Sequence, residues 1–379
     1  MIEQHAPLAP SSAHIWVNCP GSVALQQLYP DTGDSPESRE GTAAHWYVTE
    51  LLQGRDVAVG AVAPNGVPIN AEMVDCAQGL LIDVRDSIAA HPGAILRVEH
   101  RVYMPTVHEQ NWGTPDVTLI DAAQKWVGLW DYKYGHRYVD PAENWQLIDY
   151  ALGVLREIAY VREWPQWRVS LNIAQPRNYH ASGPIREWQT DGGKLLDEYE
   201  PPLRDAAAAA MQPDAELRTG EHCRDCSARF DCPALQRAGA LAIDVSLKAP
   251  PVNIPPHAVG LELRHIDDAI KRLEARRTGL QEHALGLIRS GQRVPFFSTE
   301  YSTGREKWVV DTSEVLALGE IMGVSGLQKP AEPITPNQAR TAFKKAGVDG
   351  SVIDAYADRP RGALRLVRVD DNAAKLAFD

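Results

Sequence analysis

Four of the five cysteines in this chain form one early position and one tight late group: Cys19, then Cys223, Cys226 and Cys232. The late group reads C-x2-C-x5-C, and Cys19 and Cys232 are each followed by proline. A centre that uses all four thiols closes a loop of roughly two hundred residues, so it ties the start of a fold to its end and limits the arrangements open to everything between. Without a secretory pattern at the N-terminus, thiols grouped this way point to a metal centre in a reducing compartment rather than to disulfides. Structural zinc accepts four thiolates but usually takes two short-spaced pairs. One distant cysteine plus a trio, with Cys-Pro steps, favours an iron–sulfur cluster, with zinc as the alternative. Cys76, between Val74 and Ala77 on an apolar helical pattern, reads as a core thiol.

The chain has 379 residues, enough for a large core and two domains. No apolar run approaches the ~20 residues that span a bilayer, and Met1-Ile-Glu-Gln-His-Ala-Pro7 lacks a basic segment followed by an apolar one. The expectation is a cytoplasmic protein without membrane association. The net charge of -12 argues against a protein that coats nucleic acid, because such proteins are mostly basic. It argues less against an enzyme that meets a polyanion in one groove, since clustered carboxylates that await cations add negative charge themselves.

Hydrophobic periodicity predicts helices over 41–52, 72–90, 141–161 and 194–211 and strands over 95–103, 115–120, 125–133 and 167–174. Strands among helices imply an α/β class: a mixed central sheet flanked by helices, with a smaller C-terminal α+β region. Pro250-Pro-Val-Asn-Ile-Pro-Pro256 reads as a linker, which sets domains of 1–248 and 249–379. Beyond it the pattern predicts a charged helix over 259–290, a hairpin over 293–310, a helix starting at Thr335-Pro336 and a strand over 364–369. The basic residues Arg264, Lys271, Arg272, Arg276 and Arg277 alternate with acids, as on a solvated helix face.

A turn at Asp121-Ala-Ala-Gln124 makes a hairpin of the strands on either side, and this brings Asp116 opposite 129–131. Period two puts Asp131 and Lys133 on one face. Two carboxylates brought together hold a divalent cation through oxygen, and a neighbouring lysine orients an attacking water or stabilises charge developing on phosphate.

Pro115-Asp116 followed by Asp131-Tyr-Lys133 resembles the signature of the PD-(D/E)XK nuclease superfamily. Glu40-Gly-Thr-Ala-Ala-His45, Gly113-Thr-Pro-Asp116 and Gln146-Leu-Ile-Asp-Tyr150 resemble, in order, the early-helix, G-x-x-D and Q-x-x-x-Y motifs of its RecB-like branch. That branch includes members with one early and three late cysteines around a [4Fe–4S] cluster, such as the AddB nuclease domain and CRISPR-adaptation exonucleases. The resemblance covers residues 11 to about 235 and is greatest to stand-alone phage and prophage members, which act in a host cytoplasm. It implies a Mg²⁺- or Mn²⁺-dependent deoxyribonuclease, with exonuclease action foremost. It further implies His45, Asp116, Asp131 and the Tyr132 carbonyl as metal ligands, Lys133 as the catalytic cation, and Gln146 and Tyr150 as supporting residues. Cys19, Cys223, Cys226 and Cys232 would hold the cluster, DNA would be the substrate, and a helicase or recombinase would be the kind of partner. Many relatives have glutamate where Asp131 stands; either acid serves.

Each motif also has a plainer reading. A D-x-K on a strand is commonly a surface pair, a lone helix histidine is commonly satisfied by a neighbour, and Tyr150 would serve equally as core. Glu99 reads as a surface or hairpin residue. Trp112, Trp126, Trp130 and Trp145, near the site in sequence, read mostly as core, with one or two able to stack on bases. The rival from another class is a non-catalytic DNA-binding or assembly module on the same fold with structural zinc. An electron carrier is disfavoured because no second cofactor motif is present.

Overall fold

The computed structural model describes residues 6–29, 35–246 and 255–300, together with 313, 314, 317, 321, 339, 340, 343 and 349–356. The chain divides into two compact units, Met1–Thr299 and Glu300–Asp379.

The first unit opens with two short helices, α1 (Ala13–Trp16) and α2 (Ser22–Leu28). Helix α3 spans Pro36–Leu52; Ser35 caps it by accepting from Ser38 N, and Pro36 supplies a preset first turn. It therefore begins five residues before the predicted start at Gly41. Helix α4 spans Ala71–Ala90 behind an Asn70 cap. The strand expected over 95–103 is broken into β1 (Ile95–Val98) and β2 (Val102–Tyr103). Glu99 between them has φ 51°, a left-handed conformation that ends an extended run. Next come β3 (Trp112–Gly113), β4 (Val117–Asp121) and β5 (Trp126–Tyr132). Helix α5 covers Trp145–Ile158, starting at an Asn144 cap that accepts from Gln146 N and Leu147 N. Strand β6 (Arg168–Ala174) follows. Strand β7 (Ile185–Asp191) lies outside the predicted elements, although Ile185-Arg-Glu-Trp-Gln-Thr190 carries a period-two signal. Helix α6 (Gly192–Lys194) runs through a wider turn at Leu195–Tyr199 into α7 (Glu200–Ala210), and α8 spans Pro233–Ser246.

The main sheet has the order β1-β4-β5-β6-β7 and is mixed. β4 and β5 form the expected antiparallel hairpin, with Val117 opposite Trp130. β5 and β6 run parallel, joined by α5 in a βαβ crossover. Alternation along β5 sends Val127 and Leu129 to a core shared with α5, α7 and the N-terminal helices. Trp130 and Tyr132 go to a second core under α3 and α4. The fold is thus an α/β mixed sheet with helices on both faces.

The domain boundary expected at 248 falls later. Helix α9 (Pro256–Arg289) belongs to the first unit, because Ala275 on it is buried with Cys223, Cys232 and Leu235. Lys271 pairs with Glu221 at 3.2 Å and Arg229 with Glu282, both linking α9 to the cysteine segment. Residues 293–300 contain no strand. The rest of the expected hairpin, most of the Pro250–Pro256 linker, the helix start at Thr335-Pro336 and the strand over 364–369 lie outside the described residues. Among the described residues no helix is long and apolar enough to cross a membrane.

Candidate active site and thiol centre

Asp131 and Lys133 share the α5 side of β5, and α5 begins beside them because the Asn144 cap starts it just after the loop that leaves the strand. Lys133 Nζ lies 2.9 Å from Asp131 Oδ2. Gln146, in the first turn of α5, bridges the pair: its Nε2 donates to Asp131 Oδ1 (2.8 Å) and its Oε1 accepts from Lys133 Nζ (3.1 Å). Asp116 stands one residue before β4, so the register of the hairpin puts it opposite Asp131. Its Oδ2 accepts from Tyr132 N at 2.6 Å. His45 comes from α3, which packs on the opposite sheet face, and places Nδ1 3.6 Å from Asp116 Oδ2; its ring also meets the edge of Tyr132. Five predicted site residues from four elements therefore meet at one end of the β4–β5 hairpin.

The two carboxylates are driven apart in acidity. Burial works against ionised Asp116, but His45, the Tyr132 N–H and Lys133 together hold it below the usual carboxylate range. Burial dominates at Asp131 and, with repulsion from Asp116, outweighs Lys133, so its carboxyl is raised. Burial also disfavours charge on His45 and Lys133, yet the facing aspartates raise both. Two carboxylates that cannot both ionise freely are the electrostatic setting in which a divalent cation binds well. Among the described residues no three His, Cys, Asp or Glu side chains stand ready-made as metal ligands; here the Lys133 ammonium and the Tyr132 N–H occupy carboxylate oxygens. The donor set of two carboxylates and an imidazole fits a hard divalent ion.

Tyr150, one helical turn after Gln146, is buried. Burial and the two site aspartates raise its hydroxyl, and the Gln146 side chain works in the opposite direction. A β-carbon on Gly113 would lie 2.8 Å from Tyr150 Cε1 and 2.8 Å from Pro10 Cδ. The glycine two residues before Pro115-Asp116 thus lets α5 and the N-terminal segment close on the strand that carries Asp116.

The four predicted cysteines also meet. Cys19, Cys223, Cys226 and Cys232 are all buried and line one small pocket with Ile15, Leu25, Leu217 and Leu235. The closure is set by backbone: Gly21 N donates to Glu216 O (2.8 Å), and a β-carbon on Gly21 would lie 2.6 Å from Ala215 O. Arg218 N donates to Cys19 Sγ and Gly220 N to Cys223 Sγ, each at 3.3 Å. Burial raises the thiols of Cys19 and Cys223 and pushes Cys226 up to about 12. A cation must therefore displace protons to bind there. Four thiols lining one pocket, with backbone N–H donors to Cys19 and Cys223, are a donor set that suits either a cluster or zinc.

Sequence reasoning passes over two features. Asp149 on α5 is completely buried and takes Asn111 Nδ2 at 3.0 and 2.9 Å on its two oxygens; its signal is a charge within an otherwise apolar helix. Asp225, between Cys223 and Cys226, pairs with Arg137 Nη1 (2.7 Å) and His14 Nε2 (3.3 Å). It links the cysteine segment to the loop after Lys133, and no sequence signal marks it. Glu99 is exposed and receives Thr49 Oγ1 at 3.4 Å. Cys76 is half-buried against the second core. Of the four tryptophans, Trp130 is buried and donates to Asp83 (2.7 Å), Trp126 stacks on His91, and Arg101 lies over Trp112. Trp145 lines a cleft beside Lys133.

Fold and site together define an α/β protein that gathers an Asp–Asp–Lys–His group at a hairpin end and four thiols nearby. The chain matches, over residues 5–374, the family described as a protein of unknown function, DUF2800, and belongs to it.

Proposed function

We propose that this protein is a divalent-metal-dependent deoxyribonuclease with exonuclease action foremost, and that its four cysteines hold a structural [4Fe–4S] cluster. The observation that carries the reading is the meeting of His45, Asp116, Asp131, Lys133 and Gln146 at one hairpin end. They are spread over about a hundred residues of sequence, and a structural ion pair needs only two of them. Mg²⁺ or Mn²⁺ would be held by Asp116, Asp131, His45 and the Tyr132 carbonyl, where it would neutralise phosphate and lower the pKa of a bound water. Lys133 and Gln146 act as a unit: Gln146 fixes both the ammonium and Asp131, so Lys133 is aimed at the oxygen that gains charge. Tyr150 packs against Gly113 and holds Gln146 in place. The cysteine centre ties Cys19 to the segment after α7 and keeps the N-terminal helices against the core; zinc in the same thiols would do this equally. A helicase or recombinase is the kind of partner such a nuclease serves. The test is cleavage of end-labelled DNA in Mg²⁺, Mn²⁺, Ca²⁺ and EDTA. Cleavage in the first two, little in Ca²⁺ and none in EDTA is expected; cleavage unaffected by EDTA would overturn the reading.

A further inference from the structure

We propose that helix α9 is a dimerisation element, whose apolar seam packs antiparallel against the same seam of a second copy of this chain. The inference does not depend on the nuclease reading.

The charges of this helix alternate, as on a solvated face, but its apolar residues follow a stricter rule. Val259, Leu263, Ile266, Ile270 and Leu273 are spaced 4, 3, 4 and 3, and Arg277 and Leu280 continue the series at 4 and 3. A strict 3.5-residue repeat is the spacing of a coiled-coil seam, because it keeps one stripe turned to a partner helix over several turns. The opposite side of the helix is already committed. Lys271, Ala275, Gly279 and Glu282, half a turn away, meet Glu221, the cysteines, Phe230 and Arg229. The seam therefore faces away from the protomer's own core, and Val259, Leu263, Ile266 and Ile270 are each between 42% and 46% exposed. A continuous exposed apolar row of this kind marks an interaction surface.

The repeat calls for another long helix of the same period. Among the described residues α9, with 34 residues, is the longest helix and α4, with 20, the next; α4 turns its apolar face to the second core. The helix of matching length and period is α9 of another copy, in the self-complementary contact that a two-fold axis generates. At its C-terminal end the seam is taken up differently: Leu280, Ala284 and Leu287 line an apolar pocket with Val294 and Phe297 of the same chain. The stretch left open runs from Val259 to Arg277, about 27 Å at 1.5 Å per residue.

Charge fixes the orientation. Parallel pairing would put Arg277 against its own copy inside the seam and Glu262 beside Asp267 of the other helix, both repulsive. Antiparallel pairing centred near Asp268 stacks Ile266 on Ile270, Leu263 on Leu273 and Val259 on the stem of Arg277, with Glu262 of the second copy beside that guanidinium. Glu262 and Arg277 are exposed, and among the described residues neither has an ion-pair partner within the chain. The one like-charge approach, Asp267 to Asp267, falls at the two-fold axis on an exposed flank, where water screens it.

The experiment is sedimentation velocity of the full chain from about 1 to 100 µM, a range that covers the weak end of specific association. Wild type should pass from monomer to dimer within it. Ile266→Asp with Ile270→Asp should stay monomeric throughout, with a melting temperature near wild type because both side chains are half-exposed in the protomer. Arg277→Glu and Glu262→Arg should each weaken the dimer by about 5- to 10-fold, and the two together in one chain should restore it to within about 3-fold. Parallel helices hold these positions about 22 Å apart along the axis, so only the antiparallel seam predicts rescue. A wild type still monomeric at the top of the range, a dimer that survives the paired aspartates, or a double charge swap without rescue overturns the proposal.

Discussion

Replacing Asp149 by asparagine should make the protein more stable, and increasingly so as the pH rises. The carboxyl is fully buried beside Asn111, and burial outweighs that hydrogen bond to push its pKa from 3.8 up to about 8. A carboxyl whose pKa is raised by folding stabilises the fold fully below its unfolded value near 4. That stability is lost progressively as the pH rises toward 8, because the unfolded chain ionises while the folded chain stays protonated. The loss is about 1.4 kcal/mol per pH unit, or on the order of 4 kcal/mol by pH 7. Asparagine carries no such penalty and keeps the pairing. Its carbonyl accepts from Asn111 Nδ2 in place of one carboxylate oxygen. Urea denaturation followed by tryptophan fluorescence at pH 5 and pH 7.5 reads the difference. Asp149→Asn should gain stability over wild type as the pH increases, by about 3 kcal/mol across that window, with an unchanged m value. A gap that does not vary with pH, or a variant less stable at both pH values, would refute the assignment of a protonated buried acid.

Lys133→Ala should lower DNA cleavage by about 10²–10³-fold while its melting curve and its Mn²⁺ affinity stay near wild type; a variant within a few-fold of wild type would place the catalytic cation elsewhere. Cys19→Ser should release the thiol-bound metal and destabilise the first unit by roughly 3–5 kcal/mol, by analogy with cross-link loop closure. Cys76→Ser should do neither beyond a small packing cost. Metal analysis, visible absorbance and melting curves on the three proteins decide this, and iron retained in Cys19→Ser would identify a different fourth ligand. Stoichiometric zinc without iron in anaerobically purified wild type would keep the staple and replace the cluster.

Much of the site is legible in the sequence because its spacing is local. A short turn places Asp116 opposite Asp131, period two puts Lys133 with Asp131, and one helical turn joins Gln146 to Tyr150; each is a consequence of backbone geometry over fewer than twenty residues. The C-x2-C-x5-C group with a distant Cys19 likewise announces a closure, and Gly21 lying against Ala215 and Glu216 is how it is made. Boundaries suffer where a single residue overrides a pattern, as Glu99 does by taking a positive φ inside an otherwise good strand.

What the chain alone does not decide are relations between segments whose pairing no local periodicity encodes. The arrival of His45 from the opposite face of the sheet depends on how α3 packs over Tyr132. The membership of α9 in the first unit depends on Ala275 filling a gap beside two cysteines, although proline punctuation suggests a break. The bridge from Asp225 to Arg137 and His14 joins three segments and leaves no trace in spacing. Local sequence determines which face a side chain takes, since that is a matter of dihedral period. Which faces then meet is settled by burial across the whole core, and only the tertiary structure shows the cleft that results.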